Sequence, residues 1–213
     1  MKKYIIKYFL IFIGFSLVSS GLAFILQSNL GMGPWGALEV ALSSITGLTV
    51  GRLAQIISLC LIIVAWVMGI KPSLTTILNM LFIGQFLDIF LLFIPRSNGL
   101  FANIIFFIIG IFIYSFGISL YMKYAKNDGP GPRESFMLAL SSKLKISLRI
   151  ARIIIDLGVL ITAFFLKGPI GIGTIIFAFL AGPMIQFFLR INGYKVINLK
   201  PTSKLKTEKN QNF

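Results

Sequence analysis

Two glycine–proline motifs are the residues of this chain best placed to bind a polar ligand. The first motif, NLGMGP, covers 29–34, and the second motif, NDGPGP, covers 127–132, each within a largely apolar stretch. Because proline is well tolerated at the first position of a helix, each motif predicts a helix that begins at its last residue. A helix N-terminus presents unpaired N–H groups and a partial positive charge, which suit an anion or a polar group of a solute.

The motif residues are therefore the first candidates for solute binding. The alternative is that each motif is a surface turn followed by an amphipathic helix in the headgroup region, which Trp35 and the basic Lys143 and Lys145 would fit. Arg133 either adds positive charge to the second helix start or anchors the topology. The candidates in the two motifs are Gly31, Gly33, Pro34, Gly129, Gly131, Pro132 and the adjoining Arg133.

Charged residues inside apolar segments are the second set of candidates, since such charges usually face a bundle interior or a cavity. Arg152 lies four positions before Asp156, so the two side chains can pair on one helix face. The pair is either a static ion pair or a carboxylate whose partner a proton or a solute replaces. The other intramembrane polar candidates are Glu39, Asn79, Asp88 and Glu134, of which Asn79 predicts an interhelical hydrogen bond and Glu134 suits a first helical turn.

The same inventory argues against an enzyme. The chain has no histidine, one cysteine (Cys60) and six acidic residues. It therefore offers no recognisable pairing of a nucleophile with a base, and no set of metal ligands. We expect no catalytic activity, no metal and no cofactor.

The elements that position these residues are membrane helices. Hydrophobic residues make up 57% of the chain and charged residues 12%, a composition typical of an integral membrane protein whose surroundings are the lipid bilayer. A helix needs about 20 apolar residues to cross a hydrocarbon core of about 30 Å. The sequence predicts six such spans, at roughly Tyr4–Leu26, Leu53–Ile70, Leu74–Ile94, Leu100–Tyr121, Ile150–Leu166 and Ile170–Leu189.

The net charge of +14 would suggest nucleic-acid binding in a soluble protein. In a membrane protein, however, Lys and Arg in the loops follow the positive-inside rule, so we expect no nucleic-acid partner. The basic segment 193–213 predicts a cytoplasmic tail that is either disordered and solvated or in contact with anionic lipid headgroups.

The chain is predicted to be an internal duplication. A shift of 98 positions aligns 29–44 with 127–142 without a gap, and eight of the sixteen aligned positions are identical. The N-terminal sequence MKKYIIKYFLIFIGFSLVSSG resembles a signal peptide, but it has a partner in the second copy and therefore predicts a retained helix. We assign 1–98 to the first membrane repeat, 99–192 to the second and 193–213 to the tail.

The helices that follow the two motifs decide the relation between the copies. They are predicted at roughly 34–45 and 132–144, and about a dozen residues reach only about 18 Å, too short to cross. Each copy then has three spans and one short re-entrant or interfacial helix, which predicts an inverted-topology repeat. With both termini cytoplasmic, the only basic residues of the loops and span ends that face outward are Arg52, Arg96 and Lys167.

Several segments together resemble the YczE-like family of bacterial integral membrane proteins, which is related to the YitT group. They are GMGPW, TILNMLFIGQFLD, GPGPRESFMLALS, RIARIIID and GTIIFAFLAGP, in this order, and the resemblance covers about 5–190. It implies a membrane location and a fold rather than a particular chemistry. The family usually carries an acidic residue two places after each motif's proline; Glu134 fills this place in the second copy, whereas Gly36 stands there in the first.

Paired helix breaks at corresponding points of inverted repeats favour a transport site at the repeat interface. We therefore expect a permease in the bacterial plasma membrane that moves a small polar or anionic solute. The alternative is a membrane accessory or scaffold protein that does not transport and supports an enzyme or an envelope process. A permease requires a polar cavity that reaches the repeat interface, whereas a scaffold can have a dry, tightly packed centre.

Overall fold

The computed structural model describes residues 2–125 and 128–193, and all regular structure in this part of the chain is α-helical. The predicted lipid contacts of the basic tail lie outside the described residues. The eight helices are α1 (Lys2–Gln27), α2 (Pro34–Thr46), α3 (Val50–Val67), α4 (Leu74–Phe93), α5 (Leu100–Tyr124), α6 (Pro132–Leu144), α7 (Leu148–Phe165) and α8 (Ile172–Ile191).

Local sequence accounts for the helix starts. Pro34 and Pro132 occupy the first turns of α2 and α6, which confirms that both motifs begin a helix. Ser73 and Thr76 form a capping box at the start of α4. The hydroxyl groups of Thr49 and Ser147 accept hydrogen bonds from backbone N–H groups in the first turns of α3 and α7, respectively.

Five helices are long and apolar enough to cross a membrane, namely α1, α3, α4, α5 and α8. The chain is therefore an all-helical membrane protein. The predicted sixth span corresponds to α7, whose 18 residues carry three charges, those of Arg149, Arg152 and Asp156. Because α7 has only 18 residues, no membrane-spanning length of it avoids these charges, and six crossings stay a prediction.

Helices α1 and α5 form the centre of the bundle and are packed so closely that only glycine fits at several contacts. A Cβ atom at Gly21 would lie 2.4 Å from the backbone nitrogen of Tyr114, and one at Gly117 would lie 2.7 Å from that of Val18. Gly21 lies against Tyr114, and the earlier residue Val18 lies against the later residue Gly117, so the two helices are antiparallel. Ile11, Phe15 and Tyr121 belong to the largest buried apolar cluster, which α4 completes.

Local structure recurs at positions that the shift of 98 residues relates. The residues that cap the ends of α2 and α6, Gly47 and Lys145, both adopt the left-handed conformation, with φ of 73° and 54°. The Ser43 hydroxyl donates to the carbonyl of Leu48 over 2.6 Å, and the Ser141 hydroxyl donates to that of Ile146 over 2.7 Å. The aligned segments therefore fold alike, whereas an inverted relation of the whole copies stays a prediction.

The two halves differ in the packing of their last two long helices. In the first half α3 lies directly on α4, and a Cβ atom at Gly51 would lie 2.0 Å from the carbonyl oxygen of Gly84. In the second half α7 packs on α2 and α6 while α8 packs on α5. A Cβ atom at Gly158 of α7 or at Gly182 of α8 would meet nothing within 4 Å among the described atoms. Close packing of α3 on α4 thus has no counterpart between α7 and α8.

Candidate functional site

The first motif docks on the start of α8, the last helix of the other half. The backbone N–H of Gly173 donates to the Leu30 carbonyl over 2.7 Å, and that of Met32 donates to the Pro169 carbonyl over 3.2 Å. Gly31 adopts a φ of 106°, which an L side chain rarely tolerates. The glycine at this position therefore serves the turn and its close approach to α8.

The second motif docks in the corresponding way on the start of α4. The Thr76 hydroxyl donates to the Pro130 carbonyl over 2.6 Å, and the Thr75 hydroxyl donates to the Asp128 carboxylate over 3.3 Å. Lys7 of α1 forms an ion pair with Asp128 at 2.6 Å. Gly129, like Gly31, has a positive φ, of 94°. Each motif is thus held by the half of the chain to which it does not belong.

The starts of the two short helices meet. The Arg133 guanidinium, in the first turn of α6, lies 5.1 Å from the centroid of the Trp35 ring in the first turn of α2. Arg133 also forms an ion pair with Glu39, one turn further along α2. The Glu39 side chain is 2% exposed and that of Arg133 is 30% exposed, so a buried ion pair joins the two short helices.

A cavity of about 70 Å³ lies beside this ion pair. Its volume accommodates several water molecules or one small polar solute, since about 10–15 Å³ of such space suffices for one water molecule. Both halves of the chain contribute to its wall, from α1, α3 and α4 and from α5 and α6. The polar side chains in the wall are Ser58, Asn79, Tyr114, Tyr121, Arg133 and Glu134.

The cavity lies on one side of the junction because the two copies differ there. Gly131 faces Asn79, whose side-chain nitrogen would lie 3.4 Å from a Cβ atom at that glycine. At the equivalent place in the other copy, Gly33 faces Phe177, and a Cβ atom at Gly33 would lie 2.5 Å from the Phe177 ring. The Phe177 ring also packs on Tyr114, with centroids 5.3 Å apart. An aromatic ring therefore fills one side while an amide borders the open space on the other.

Asn79 is buried and contributes to the cavity wall, but its side chain forms no hydrogen bond with the residues that the structure describes. The predicted interhelical hydrogen bond of Asn79 is therefore absent from this part of the chain. A buried amide usually has a hydrogen-bond partner, either in the protein or in ordered water. Asn79 is accordingly available to a molecule in the cavity.

Other predicted candidates lie elsewhere. Arg152 and Asp156 form the expected pair on α7, at 3.5 Å, but their side chains are 61% and 33% exposed and neither is in the cavity wall. Asp88 accepts hydrogen bonds from the Thr49 hydroxyl and the Gly51 N–H, at 2.6 and 2.8 Å, and so holds the start of α3 against α4. In the described part of the chain no three His, Cys, Asp or Glu side chains come together.

Sequence reasoning did not predict the partner of Arg133 or the aromatic residues around it. The sequence identifies Glu39 only as a polar residue in the membrane, and no sequence pattern distinguishes Tyr114, Tyr121 and Ser58 from the other residues of their helices. One available signal was the duplication itself, because Trp35 and Arg133 occupy equivalent positions in the two aligned motifs. A contact between equivalent positions is expected where two copies of a symmetric arrangement adjoin.

The helices and the buried polar junction define a membrane protein with a polar centre shared by its two halves. The chain belongs to the family described as "Family of unknown function (DUF6198)", whose model matches residues 5–190. The predicted family resemblance is thereby confirmed.

Relatives in two bacteria cover most of the chain. An "Uncharacterized protein" of Haemophilus influenzae is 32% identical over 177 residues, which are 83% of this chain and 80% of the relative. The "Uncharacterized membrane protein YczE" of Bacillus subtilis is 29% identical over 195 residues, 88% of this chain and 87% of the relative. The Bacillus subtilis "Uncharacterized protein YyaS" is 31% identical over 191 residues, 87% of this chain and 93% of the relative. No solved structure matches the chain.

Proposed function

We propose that this protein is a permease of the bacterial plasma membrane that moves a small polar or anionic solute through the junction of two inverted repeats. The observation that carries the proposal is the polar cavity beside the junction of α2 and α6, with Arg133 in its wall. Bare backbone at membrane depth is tolerated where protein buries it or a cavity receives it. The burial of both motifs against α4 and α8 supports re-entrant rather than interfacial short helices.

Arg133 and Asn79 are the proposed solute-binding groups. Among the described residues, the Arg133 guanidinium donates a hydrogen bond only to Glu39. Its remaining N–H groups can therefore donate to a ligand. A guanidinium binds a planar anion through two parallel hydrogen bonds, and the neighbouring amide can donate to the same oxygen atoms. The low dielectric around the cavity strengthens such contacts relative to water.

The rival proposal is a membrane scaffold that does not transport. The exposed basic residues Lys143, Lys145 and Arg149, from the end of α6 to the start of α7, favour it because they offer a surface for an acidic partner. A scaffold has no need for a polar cavity between its halves, however, and burying polar groups without a ligand costs free energy. The cavity therefore supports the permease over the scaffold.

A thermal-shift screen followed by uptake measurements tests the proposal. The purified protein is screened against small anions, amino acids and neutral polar solutes, and each stabilising compound is then assayed for uptake into proteoliposomes. The double substitution Arg133→Gln with Glu39→Gln keeps the pair neutral and is expected to abolish both effects. The matched substitution Arg152→Gln with Asp156→Asn removes the exposed ion pair and should preserve them. If no solute stabilises the protein while a partner enzyme co-purifies, the scaffold replaces the permease.

A further inference from the structure

The two partners of the buried ion pair have unequal access to the cavity. Arg133 is part of the cavity wall, whereas Glu39 lies behind it with its side chain 2% exposed. Among the described residues, Arg133 alone forms a hydrogen bond with the Glu39 carboxylate. A solute in the cavity can therefore reach the cation of the pair without reaching the anion.

We propose that a small monovalent anion replaces Glu39 as the counter-ion of the Arg133 guanidinium and that Glu39 takes up one proton in exchange. The solute is then carried together with a proton. This inference rests on the proposed permease function and adds the charge of the solute and the identity of the coupling ion.

The physical reason is the cost of a buried charge that has lost its counter-ion. When the anion engages Arg133, one cation faces two anions, and Glu39 would remain as an incompletely compensated carboxylate whose side chain is only 2% exposed. A proton from the cavity water forms an O–H bond at one Glu39 oxygen and removes this charge. The anion and the proton together leave the net charge of the site unchanged, which keeps the loaded site as easy to move through a low-dielectric region as the empty one.

Among the described residues, no other cation is placed to replace Arg133 beside Glu39. Helix α2 packs on α3 and α7 as well as meeting α6. On α7 the basic residues are Arg149, which is exposed, and Arg152, which already forms an ion pair with Asp156. The only charged residue of α3 is Arg52, which is exposed in its first turn.

Of the remaining titratable groups near the pair, Glu134 on α6 would repel a carboxylate and Tyr114 on α5 is neutral at ordinary pH.

The experiment uses nitrate as the probe, because the anion of a strong acid brings no proton of its own. The chain contains two tryptophans, so Trp66→Phe leaves Trp35, which stacks on Arg133, as the only reporter of binding. Nitrate is titrated into the purified protein in a weakly buffered, chloride-free detergent solution that contains a pH-indicator dye. Trp35 emission gives the bound fraction, and the dye gives the protons taken up.

We expect about one proton per bound nitrate and an apparent affinity that weakens about tenfold per pH unit in the range where Glu39 is ionised without nitrate, as linkage requires for one proton. Glu39→Gln should bind nitrate more tightly, because the competing carboxylate is gone, with neither proton uptake nor this pH dependence. Asp156→Asn is the matched control and should retain both. The stoichiometry of the Trp66→Phe protein tests the inference even if Glu39→Gln does not fold.

Four outcomes would overturn the inference. Nitrate binding without proton uptake, or proton uptake that persists in Glu39→Gln, excludes Glu39 as the proton acceptor and leaves the permease standing. Absence of nitrate binding, when a neutral polar solute stabilises the protein and is transported, excludes the anion exchange alone. Absence of any response to every solute removes the permease and the inference together.

Discussion

Trp35 and Arg133 occupy equivalent positions in the two aligned motifs, and their side chains contact each other with the guanidinium 5.1 Å from the ring centroid. Equivalent residues of two copies touch only where the copies adjoin, so this contact marks the centre of the duplicated arrangement. The pair is chemically unequal, since one copy supplies a ring and the other a cation that the ring stabilises. The centre is thus nearly symmetric in position, while its cation comes from the second copy and the paired carboxylate, that of Glu39, comes from the first.

The ion pair between Glu39 and Arg133 should be a principal stabilising contact between the short helices. Replacing Glu39 by alanine leaves the Arg133 charge poorly compensated, which typically costs about 3–5 kcal/mol for a buried pair. Because the Arg133 side chain is 30% exposed, we expect the lower end of this range. The measurement is the free energy of unfolding of the detergent-solubilised protein in denaturant.

The control for this prediction is Asp156→Ala, which breaks the ion pair on α7. The Arg152 side chain is 61% exposed, and exposed pairs of this spacing contribute about 0.3–0.5 kcal/mol. Equal destabilisation by the two substitutions would contradict the buried character of the Glu39–Arg133 pair.

The close contact between α1 and α5 should depend on glycine. A Cβ atom at Gly21 would lie 2.4 Å from the backbone nitrogen of Tyr114, and backbone cannot move aside as a flexible side chain can. Gly21→Ala should therefore destabilise the protein by about 1–3 kcal/mol or more, as overpacking does. Gly158→Ala is the control, because its new methyl group meets open space and alanine favours a helix by up to about 1 kcal/mol. A Gly21→Ala protein as stable as the Gly158→Ala protein would contradict the packing of α1 on α5.

The helices and the two helix starts were predictable from sequence because their causes are local. Apolar length gives the long helices, and the proline after each glycine pair gives the starts at Pro34 and Pro132. Helix α7 shows the limit of the length argument, since its three charges do not by themselves indicate whether it crosses the membrane.

The composition of the site was harder to predict because it depends on contacts across the fold. Glu39 and Arg133 are 94 positions apart, and no local pattern indicates that they pair. Asp156 is a charge in an apolar segment and is therefore a candidate from sequence, yet its side chain is partly exposed on α7. Which charge becomes buried is decided by the docking of each motif on the opposite half.

Asn79 should control access to the cavity. Its equivalent in the second copy is Phe177, whose ring fills the corresponding space against Gly33. Asn79→Phe should fill the cavity of about 70 Å³ in the same manner and abolish solute binding in the thermal-shift assay. Asn79→Ser is the control, because it leaves the cavity open and replaces the amide with a hydroxyl group that can still donate a hydrogen bond, so binding should be weakened and not abolished. Unchanged binding by Asn79→Phe would mean that the solute site lies elsewhere.

The relation between the two copies can be tested at Ser44 and Ser142, which occupy equivalent positions near the ends of α2 and α6 and are both exposed. In a Cys60→Ser background, a cysteine is introduced at one position at a time and treated in intact cells with a thiol reagent that does not cross membranes. An inverted-topology repeat with cytoplasmic termini predicts labelling at Ser44→Cys from outside, whereas Ser142→Cys should react only after the membrane is permeabilised. If the short helices lie on one face, as a parallel repeat would require, both cysteines react from the same side. Two helix starts that come from opposite faces and meet at Arg133 would give the solute a separate route on each side of one site, which is the arrangement that alternating access needs.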